Sequence, residues 1–244
     1  MVSYLRSLHW RREPSPFDGI FDWKDSILSK LPGLKKTDFA TILADPPWRF
    51  QNRTGKVAPE HKRLGRYRTM DVHEICRMPV ADHAASKSHL YLWCPNALLP
   101  WGLDVMEAWG FTYKSNIVWH KVRKDGEPDG RGVGFYFRNV TELVLFGIRG
   151  SMRTLAPGRR QVNLFKTRKE EHSRKPARLC EIIEACSPGP YLELFARERR
   201  AGWTQWGDEL DTYLHTRTTY KGYNGYAPQA YATPTGLISM PQRL

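Results

Sequence analysis

The chain has 244 residues, 41% of them apolar and 12% aromatic, which is enough for one α/β domain or two small ones and excludes a wholly disordered chain. No apolar run reaches the roughly 20 residues that span a bilayer, and the start lacks a secretory signal pattern, so we expect a cytosolic protein. The four cysteines form no C-x-x-C pair, so no metal site is expected. The net charge of +13 favours nucleic acid as a partner over a merely solvated basic surface.

Segments with the apolar pattern of strands alternate along the chain with segments that have the pattern of helices. Residues 1–38 form a lead-in with a candidate amphipathic helix at Trp23–Leu31, and the first predicted strand, Phe39–Ala44, stops at two prolines. Further strands are predicted at His89–Cys94, Ser115–His120, Thr141–Ile148, Val162–Phe165 and Tyr191–Phe195, and helices at Asp71–Arg77, Ala97–Trp109 and Pro176–Cys186. The alternation predicts an α/β domain over residues 39–210, in which a mainly parallel sheet carries helices on both faces. A tail at 211–244, which lacks apolar periodicity, follows this domain.

The sharpest local signal is Asp45-Pro46-Pro47-Trp48, at the carboxyl end of the first predicted strand, where parallel sheets bind ligands. The two prolines lock φ and remove two amide donors, so we expect this strand end to expose its carbonyls without competing amides. An amine on a planar base is a weak nucleophile, and its two hydrogens suit the Asp45 carboxylate and the Pro46 carbonyl as acceptors. Trp48 offers a stacking face for a base that has left its helix. The alternative is an ordinary turn after a strand, where Asp and Pro are common.

Basic residues are concentrated in three segments beside the predicted strands. Positive loops around a base pocket suit a flipped or single-stranded substrate, so we expect all three to surround the site. They are Arg49, Arg53, Lys56, Lys62, Arg63, Arg66 and Arg68 in the first; Lys121, Arg123, Lys124, Arg131 and Arg138 in the second; and Arg153, Arg159, Arg160, Lys166, Arg168, Lys169 and Arg174 in the third.

The segment ILADPPWRF resembles the Asp-Pro-Pro-aromatic signature of amino-methyltransferases. From about Phe39 to Leu210 the chain resembles the mRNA adenosine methyltransferase seventy-kilodalton-subunit family, in particular its bacterial and phage members. Further matches occur in the family's order, which makes the set far more specific than the four-residue motif. They are RYRTM (66–70), LYLWCPNALLP (90–100), EAWGF (107–111), RNVTELVLFGIRG (138–150), EHSRKP (171–176), PGPYLELFAR (188–197) and GW-x-x-WGDEL (202–210).

The resemblance implies a Rossmann-like methyltransferase fold in permuted order, with the catalytic motif ahead of the cofactor strand, and S-adenosylmethionine as the cofactor. It implies catalytic roles for Asp45, Pro46, Pro47 and Trp48. The implied cofactor-site residues are Asp45, Lys175, Phe195, Arg197, Arg199, Arg200, Asp208 and Glu209, and the substrate-binding residues are Trp48, Arg49, Tyr67, Lys121, Asn139 and Glu142. Plainer readings compete: a loop tyrosine at 67, a surface lysine at 121, a turn asparagine at 139, and a solvated face for the arginines.

The implied reaction is methylation of the exocyclic amine of adenine in nucleic acid. The resemblance to bacterial members favours DNA, with RNA as the alternative. Methylation of the cytosine amine is a rival within the same chemistry. A non-catalytic nucleic-acid-binding paralogue is the rival outside it, but the signature of such paralogues is degraded, whereas Asp45-Pro46-Pro47-Trp48 is intact.

Overall fold

The computed structural model describes residues 31, 33–35, 37–49, 69–130, 136–168, 175–207 and 210. All of them belong to the first of the two units into which the chain divides, Met1–Tyr213. The tail at 211–244, and all but the last residue of the helix predicted at Trp23–Leu31, lie outside the described residues. Among the described helices, none is both long and apolar enough to cross a membrane.

Seven strands form one sheet, in the order β5-β3-β4-β2-β1-β6-β7. β4 pairs antiparallel with β2 and β3, and every other pairing in this sheet is parallel. Six strands therefore run in one direction, which confirms the mainly parallel α/β fold. The strands are β1 (Phe39–Ala44), β2 (Ala84–Cys94), β3 (Thr112–Val122), β4 (Thr141–Arg149), β5 (Leu164–Arg168), β6 (Tyr191–Leu194) and β7 (Trp203–Trp206).

In the described part of the chain, three α-helices cover the two faces of the sheet: α1 (Val72–Cys76), α2 (Leu99–Ala108) and α3 (Arg178–Cys186). Asp71 caps α1 by accepting from the Glu74 amide, while the Glu74 side chain accepts from the Asp71 amide, a reciprocal capping box. Successive strand residues point to opposite faces, so Ile42 packs in one buried cluster with α1 and α2, and Leu43 packs in the other with α3. The helices thus lie on both faces, as predicted.

Several strand bounds differ from the prediction for a physical reason. β2 and β3 begin several residues earlier than predicted, because their first residues are partly polar and exposed and are held by pairing with a neighbouring strand. Ala84 of β2 pairs with Phe39 of β1, and Thr112 of β3 pairs with Ile148 of β4. β5 begins two residues later and is mostly exposed and basic, as suits an edge strand. β7 was not predicted, since its four residues alternate only weakly between buried and exposed.

The carboxyl ends of β1, β2, β3 and β6 open at one edge of the sheet, here called the site edge, where Asp45, Pro95, Arg123 and Phe195 follow these strands. β4 runs the other way, so segment 150–163 leaves it at the opposite edge. There the Leu155 amide donates to the carbonyl of Cys186, the last residue of α3, at 2.8 Å. The expectation that the whole third basic segment surrounds the site was therefore wrong for Arg153, Arg159 and Arg160.

Candidate active site

The Asp-Pro-Pro turn follows an interior strand of the sheet, because β1 is flanked by β2 and β6. The Asp45 amide still donates to the Leu194 carbonyl, at 3.4 Å, and then the chain leaves the sheet. The Pro46 carbonyl accepts from the Trp48 amide at 2.8 Å, and the Pro47 carbonyl accepts from the Met70 amide at 2.9 Å. The prediction that these carbonyls face no competing amide was wrong, but each keeps a second lone pair.

An ion pair joins the end of β1 to the segment before α3. Lys175 Nζ donates to both carboxylate oxygens of Asp45, at 2.8 Å each, and about a quarter of each side chain is exposed. Burial by itself lowers the pKa of Lys175, but the charges of Asp45 and Glu142 outweigh it, so the pKa is raised above its usual value. Lys175 is therefore a firmly charged ammonium group, and it holds the Asp45 carboxylate in one orientation.

The ion pair continues into a line of alternating charges. Lys175 Nζ lies 3.7 Å from Glu142 Oε2, and the other oxygen of Glu142 accepts from Lys121 Nζ. Two tryptophans lie under the ammonium groups: the Trp93 ring centre is 4.9 Å from Lys175 Nζ, and the Trp119 ring centre is 5.0 Å from Lys121 Nζ. The predicted residues Asp45, Lys175, Glu142 and Lys121 thus form one connected network across β1, β4 and β3.

A cleft opens to solvent beside this network, and the space between its walls, part of it continuous with solvent, is about 750 Å³. Six predicted residues line it together: Asp45, Lys175, Phe195, Arg197, Arg199 and Arg200.

Glu193 is an acidic lining residue that sequence reasoning did not single out. Gln205 donates to its Oε2 at 2.8 Å. Burial, aided by the charge of Asp45, raises the pKa of the Glu193 carboxyl, although Gln205 and the charge of Arg200 act in the opposite direction. The available signal was a charged residue inside a short apolar strand.

The loop after β6 is held in an unusual conformation. Phe195 has φ of 63°, in the left-handed region that side chains with a Cβ rarely adopt, and its ring meets Trp206 edge-on at 5.8 Å between centres. Arg200 Nε is buried and has no hydrogen-bond partner among the residues that the structure describes. A buried donor without a partner is costly, and here it lies in the wall of an open cleft, so it marks a place where a polar ligand would bond. The cleft therefore offers cations, an acid and apolar walls to one small molecule.

The remaining predicted site residues are buried in the core, exposed at the surface, or outside the described part of the chain. Trp48 is only 6% exposed, and its indole nitrogen donates to the Trp93 carbonyl at 3.0 Å, so in this structure it packs in the core. Its stacking on a base stays a prediction. Arg49 is exposed; its guanidinium donates to Thr69 and its amide donates to the Met70 carbonyl at 3.0 Å. Asn139 is partly exposed in the segment before β4. Tyr67, Asp208 and Glu209 lie outside the described residues.

Trp93 is the second residue that sequence reasoning missed. It is 2% exposed, lines the cleft, and contacts Lys175 through its ring and Trp48 through its carbonyl. A tryptophan in a buried strand looks like ordinary core from sequence, so only the packing distinguishes it.

A model of one protein family, MT-A70, matches residues 39–209 of this chain. The chain belongs to the MT-A70 family. The match begins at the first residue of β1 and ends three residues after β7, so it takes in the whole MT-A70 sheet and every described residue of the cleft.

Curated relatives of this MT-A70 chain have low sequence identity to it, but they align with most of its length. Type II methyltransferase M.MunI from Mycoplasma sp is 27% identical over 202 residues, which cover 76% of this chain and 82% of the relative. N6-methyladenosine RNA methyltransferase MTA1 from Cryphonectria parasitica is 31% identical over 182 residues, 70% of this chain and 52% of the relative. Human N(6)-adenine-specific methyltransferase METTL4 is 28% identical over 203 residues, 78% of this chain and 41% of the relative. The chain thus spans about half or less of the length of the latter two.

Proposed function

We propose that this chain transfers a methyl group from S-adenosylmethionine to the exocyclic amine of adenine in nucleic acid, with DNA as the favoured substrate. The observation that carries the proposal is Asp45, which directly follows the interior strand β1, lines the cleft, and has both carboxylate oxygens bonded to Lys175. The names of MTA1 and METTL4 refer to methylation of adenosine or adenine at N6. DNA is favoured because the motifs of this chain most resemble those of the family's bacterial members, and one relative, the Type II methyltransferase M.MunI, comes from Mycoplasma sp.

The chemistry of the cleft fits the proposed cofactor. The methionine end of S-adenosylmethionine carries a carboxylate and an ammonium group, which match the cation Lys175 and the acid Glu193 in one cleft. The partnerless Nε of Arg200 is a further donor for an anionic or hydroxyl oxygen. Leu43, Leu179 and Phe195 supply apolar walls for a flat ring. When bound, the cofactor supplies an electrophilic methyl group on a positively charged sulfur.

On the acceptor side, Asp45 and Pro46 would bind the two hydrogens of the adenine amine. The Pro46 carbonyl direction is fixed by its bond from the Trp48 amide, and its second lone pair remains for the amine. Asp45 keeps acceptor capacity beyond its two bonds to Lys175, because an ionised carboxylate offers about four lone-pair sites. Holding both hydrogens turns the nitrogen lone pair out of the ring plane and toward the methyl group.

The proposed methyl transfer breaks one bond, forms one bond and releases one proton. The amine nitrogen would take the methyl group as the donor's bond from sulfur to carbon breaks, and the amine would then lose a proton, for which the Asp45 carboxylate is the adjacent base. No covalent enzyme intermediate is needed, so most of the acceleration would come from holding donor and acceptor in line. Glu142 and Lys121 would hold the acceptor side of the network in place, since they connect to Asp45 only through Lys175 in the described contacts.

The test is transfer of a radiolabelled methyl group to single- and double-stranded DNA and RNA, followed by identification of the methylated nucleoside by mass spectrometry. We expect N6-methyladenine, with DNA methylated faster than RNA. Methylcytosine, or binding of nucleic acid without any transfer, would overturn the proposal in favour of the cytosine enzyme or the non-catalytic paralogue.

The matched variant is Asp45→Asn, which keeps the size of the side chain and removes its charge. We expect kcat to fall by at least about 100-fold, the usual cost of losing one preorganised hydrogen bond at a reacting group. Calorimetry should show that the variant still binds S-adenosylmethionine, since Lys175 and Glu193 remain. A variant with near-normal turnover would remove Asp45 from the mechanism.

A further inference from the structure

Two neighbouring aromatic side chains project almost entirely into solvent. Tyr136 is 94% exposed and Phe137 is 85% exposed, the highest values among the exposed large hydrophobic residues of the described chain. Single exposed apolar residues are common on protein surfaces, but two adjacent rings with almost no intramolecular contact gain nothing from the fold. Their exposure points to a ligand rather than to stability.

The position of the two rings connects them with the proposed reaction. They lie between β3 and β4, and β3 ends at the same edge of the sheet as β1, so this connection is at the site edge. The Lys121 amide donates to the Val140 carbonyl at 2.8 Å, which anchors the segment 136–140 to the end of β3. Phe137 precedes Glu142 by five residues, so their Cα atoms are at most about 18 Å apart. That span corresponds to about five nucleotides at 3.4 Å each.

The charge around the rings suits a polyanion. Segment 136–141 contains Arg138 and no acidic residue. In the turn before it, Arg123 pairs with Asp125 at 2.9 Å, Asp129 is only 4% exposed, and the exposed Glu127 is accompanied by the exposed Lys124. A cation next to exposed aromatic rings is the combination with which proteins bind unpaired bases and their phosphates.

A third exposed ring shares this edge. Trp101, 45% exposed, lies in the first turn of α2, which follows the carboxyl end of β2. Asn96, just before α2, donates to the Thr141 carbonyl at 3.2 Å, so the start of α2 is joined to the start of β4. The other large exposed aromatic residue in the described chain, Tyr113, begins β3 and lies at the opposite edge. Three of these four rings therefore lie at the site edge.

We propose that Tyr136 and Phe137 form a stacking platform for one or two unpaired bases next to the target adenine, with Arg138 on the adjoining phosphate. This inference rests on the proposed function, and it specifies the substrate further as nucleic acid whose bases are unpaired around the target. Every base has a π-face, so the platform would accept flanking bases with little sequence preference.

The experiment measures binding of a fluorescently labelled single-stranded DNA with one central adenine, by anisotropy, over a series of salt concentrations. The double variant Tyr136→Ala/Phe137→Ala should weaken binding by about 10- to 100-fold, in line with the loss of one or two stacked bases. Because no charge is removed, the slope of log Kd against log salt concentration should not change. Arg138→Ala should instead reduce that slope by about 0.7.

Tyr113→Ala is the matched control, because it removes a partly exposed ring at the opposite edge and should bind like the wild type. A fully paired duplex should lose less affinity in the double variant than the single strand does. Equal binding of the single strand by the double variant and the wild type would overturn the inference. A change in molar mass by light scattering with unchanged DNA binding would also overturn it, because the rings would then bind protein.

The two proposals fail in different ways. If the wild type methylates adenine but the double variant binds single-stranded DNA normally, the platform is wrong and the enzymatic proposal stands. If the wild type binds DNA through the two rings but transfers no methyl group, the enzymatic proposal is wrong and the stacking surface stands.

Discussion

The replacement Lys175→Met tests whether one ammonium group both fixes the acceptor-site carboxylate and binds the cofactor. Methionine retains an unbranched apolar side chain of similar length, so packing against Trp93 should be largely kept while the charge is lost. The variant loses two hydrogen bonds of 2.8 Å to Asp45, and it also loses the weaker contact of 3.7 Å with Glu142. Two carboxylates are then left near each other without the cation between them.

The cost in stability can be bracketed from the exposure of the pair. Fully exposed ion pairs contribute about 0.2–1 kcal/mol, whereas removing one partner of a buried pair costs about 3–5 kcal/mol. The Lys175 and Asp45 side chains are each 26% exposed, between these limits. We therefore expect the free energy of unfolding to fall by about 2 kcal/mol, which for a domain of this size lowers Tm by about 4–8 °C.

The cost in cofactor binding is expected to be separate. A hydrogen bond to a charged group contributes about 1.5–3 kcal/mol, so loss of the bond to the methionine carboxylate should raise the Kd of S-adenosylmethionine by about 10- to 150-fold. Isothermal titration calorimetry measures the Kd, and thermal melting without ligand measures the stability. Both measurements should be made at the same pH and salt concentration, because ion pairs are screened by salt.

Lys114→Met is the control, since Lys114 is exposed at the start of β3, far along the sheet from the site edge, and its replacement should change neither quantity. A Lys175→Met variant with lowered Tm and unchanged Kd would show that Lys175 only supports the fold. If neither quantity changed, the ion pair with Asp45 would be without consequence, and the reasoning from its geometry would be refuted.

Three further predictions concern the fold. Burial lowers the pKa of His89, so at mildly acidic pH the unfolded chain binds a proton more readily than the folded chain does. The free energy of unfolding should therefore fall as the pH drops below about 6.5. Urea unfolding at two pH values should show a smaller fall for His89→Gln than for the wild type. Gly102→Ala should lower Tm, because its Cβ would lie 2.5 Å from Cys94 Sγ and 2.8 Å from a Leu145 methyl, and overpacking of about 1–3 kcal/mol outweighs the gain in helix propensity of about 1 kcal/mol. Trp48→Phe should cost about 1–3 kcal/mol in urea unfolding, because the buried Trp93 carbonyl loses its 3.0 Å bond from the indole; unchanged stability would show that this bond contributes nothing.

The central elements could be predicted from sequence because their signals are local. β1 has the predicted bounds, since six mostly buried residues, five of them apolar, are followed by Asp45 and two prolines. The capped helix α1 is preceded by Asp71, as predicted, because an N-cap bonds to an amide only three residues away. The resemblance located Asp45, Lys175, Phe195 and the arginines that share the cleft, because it compared ordered motifs rather than single residues.

Other features depend on contacts between residues distant in sequence, which no local pattern encodes. The reversed direction of β4 is decided by its pairing with β2 and β3, and it moves Arg153, Arg159 and Arg160 to the edge opposite the cleft. The burial of Trp48 is decided by a hydrogen bond to Trp93, 45 residues later.

The sequence by itself determined the α/β class, the strand that carries the Asp-Pro-Pro turn, and the chemistry of the residues around it, because apolar periodicity and proline geometry act over a few residues. Only the tertiary structure decided that Lys175 binds Asp45 across 130 positions, that Glu142 and Lys121 continue the same network, and that Glu193 lines the cleft. The reason is physical: electrostatic and hydrogen-bonding partners are chosen by distance in space, and that distance is fixed by how the strands are ordered in the sheet.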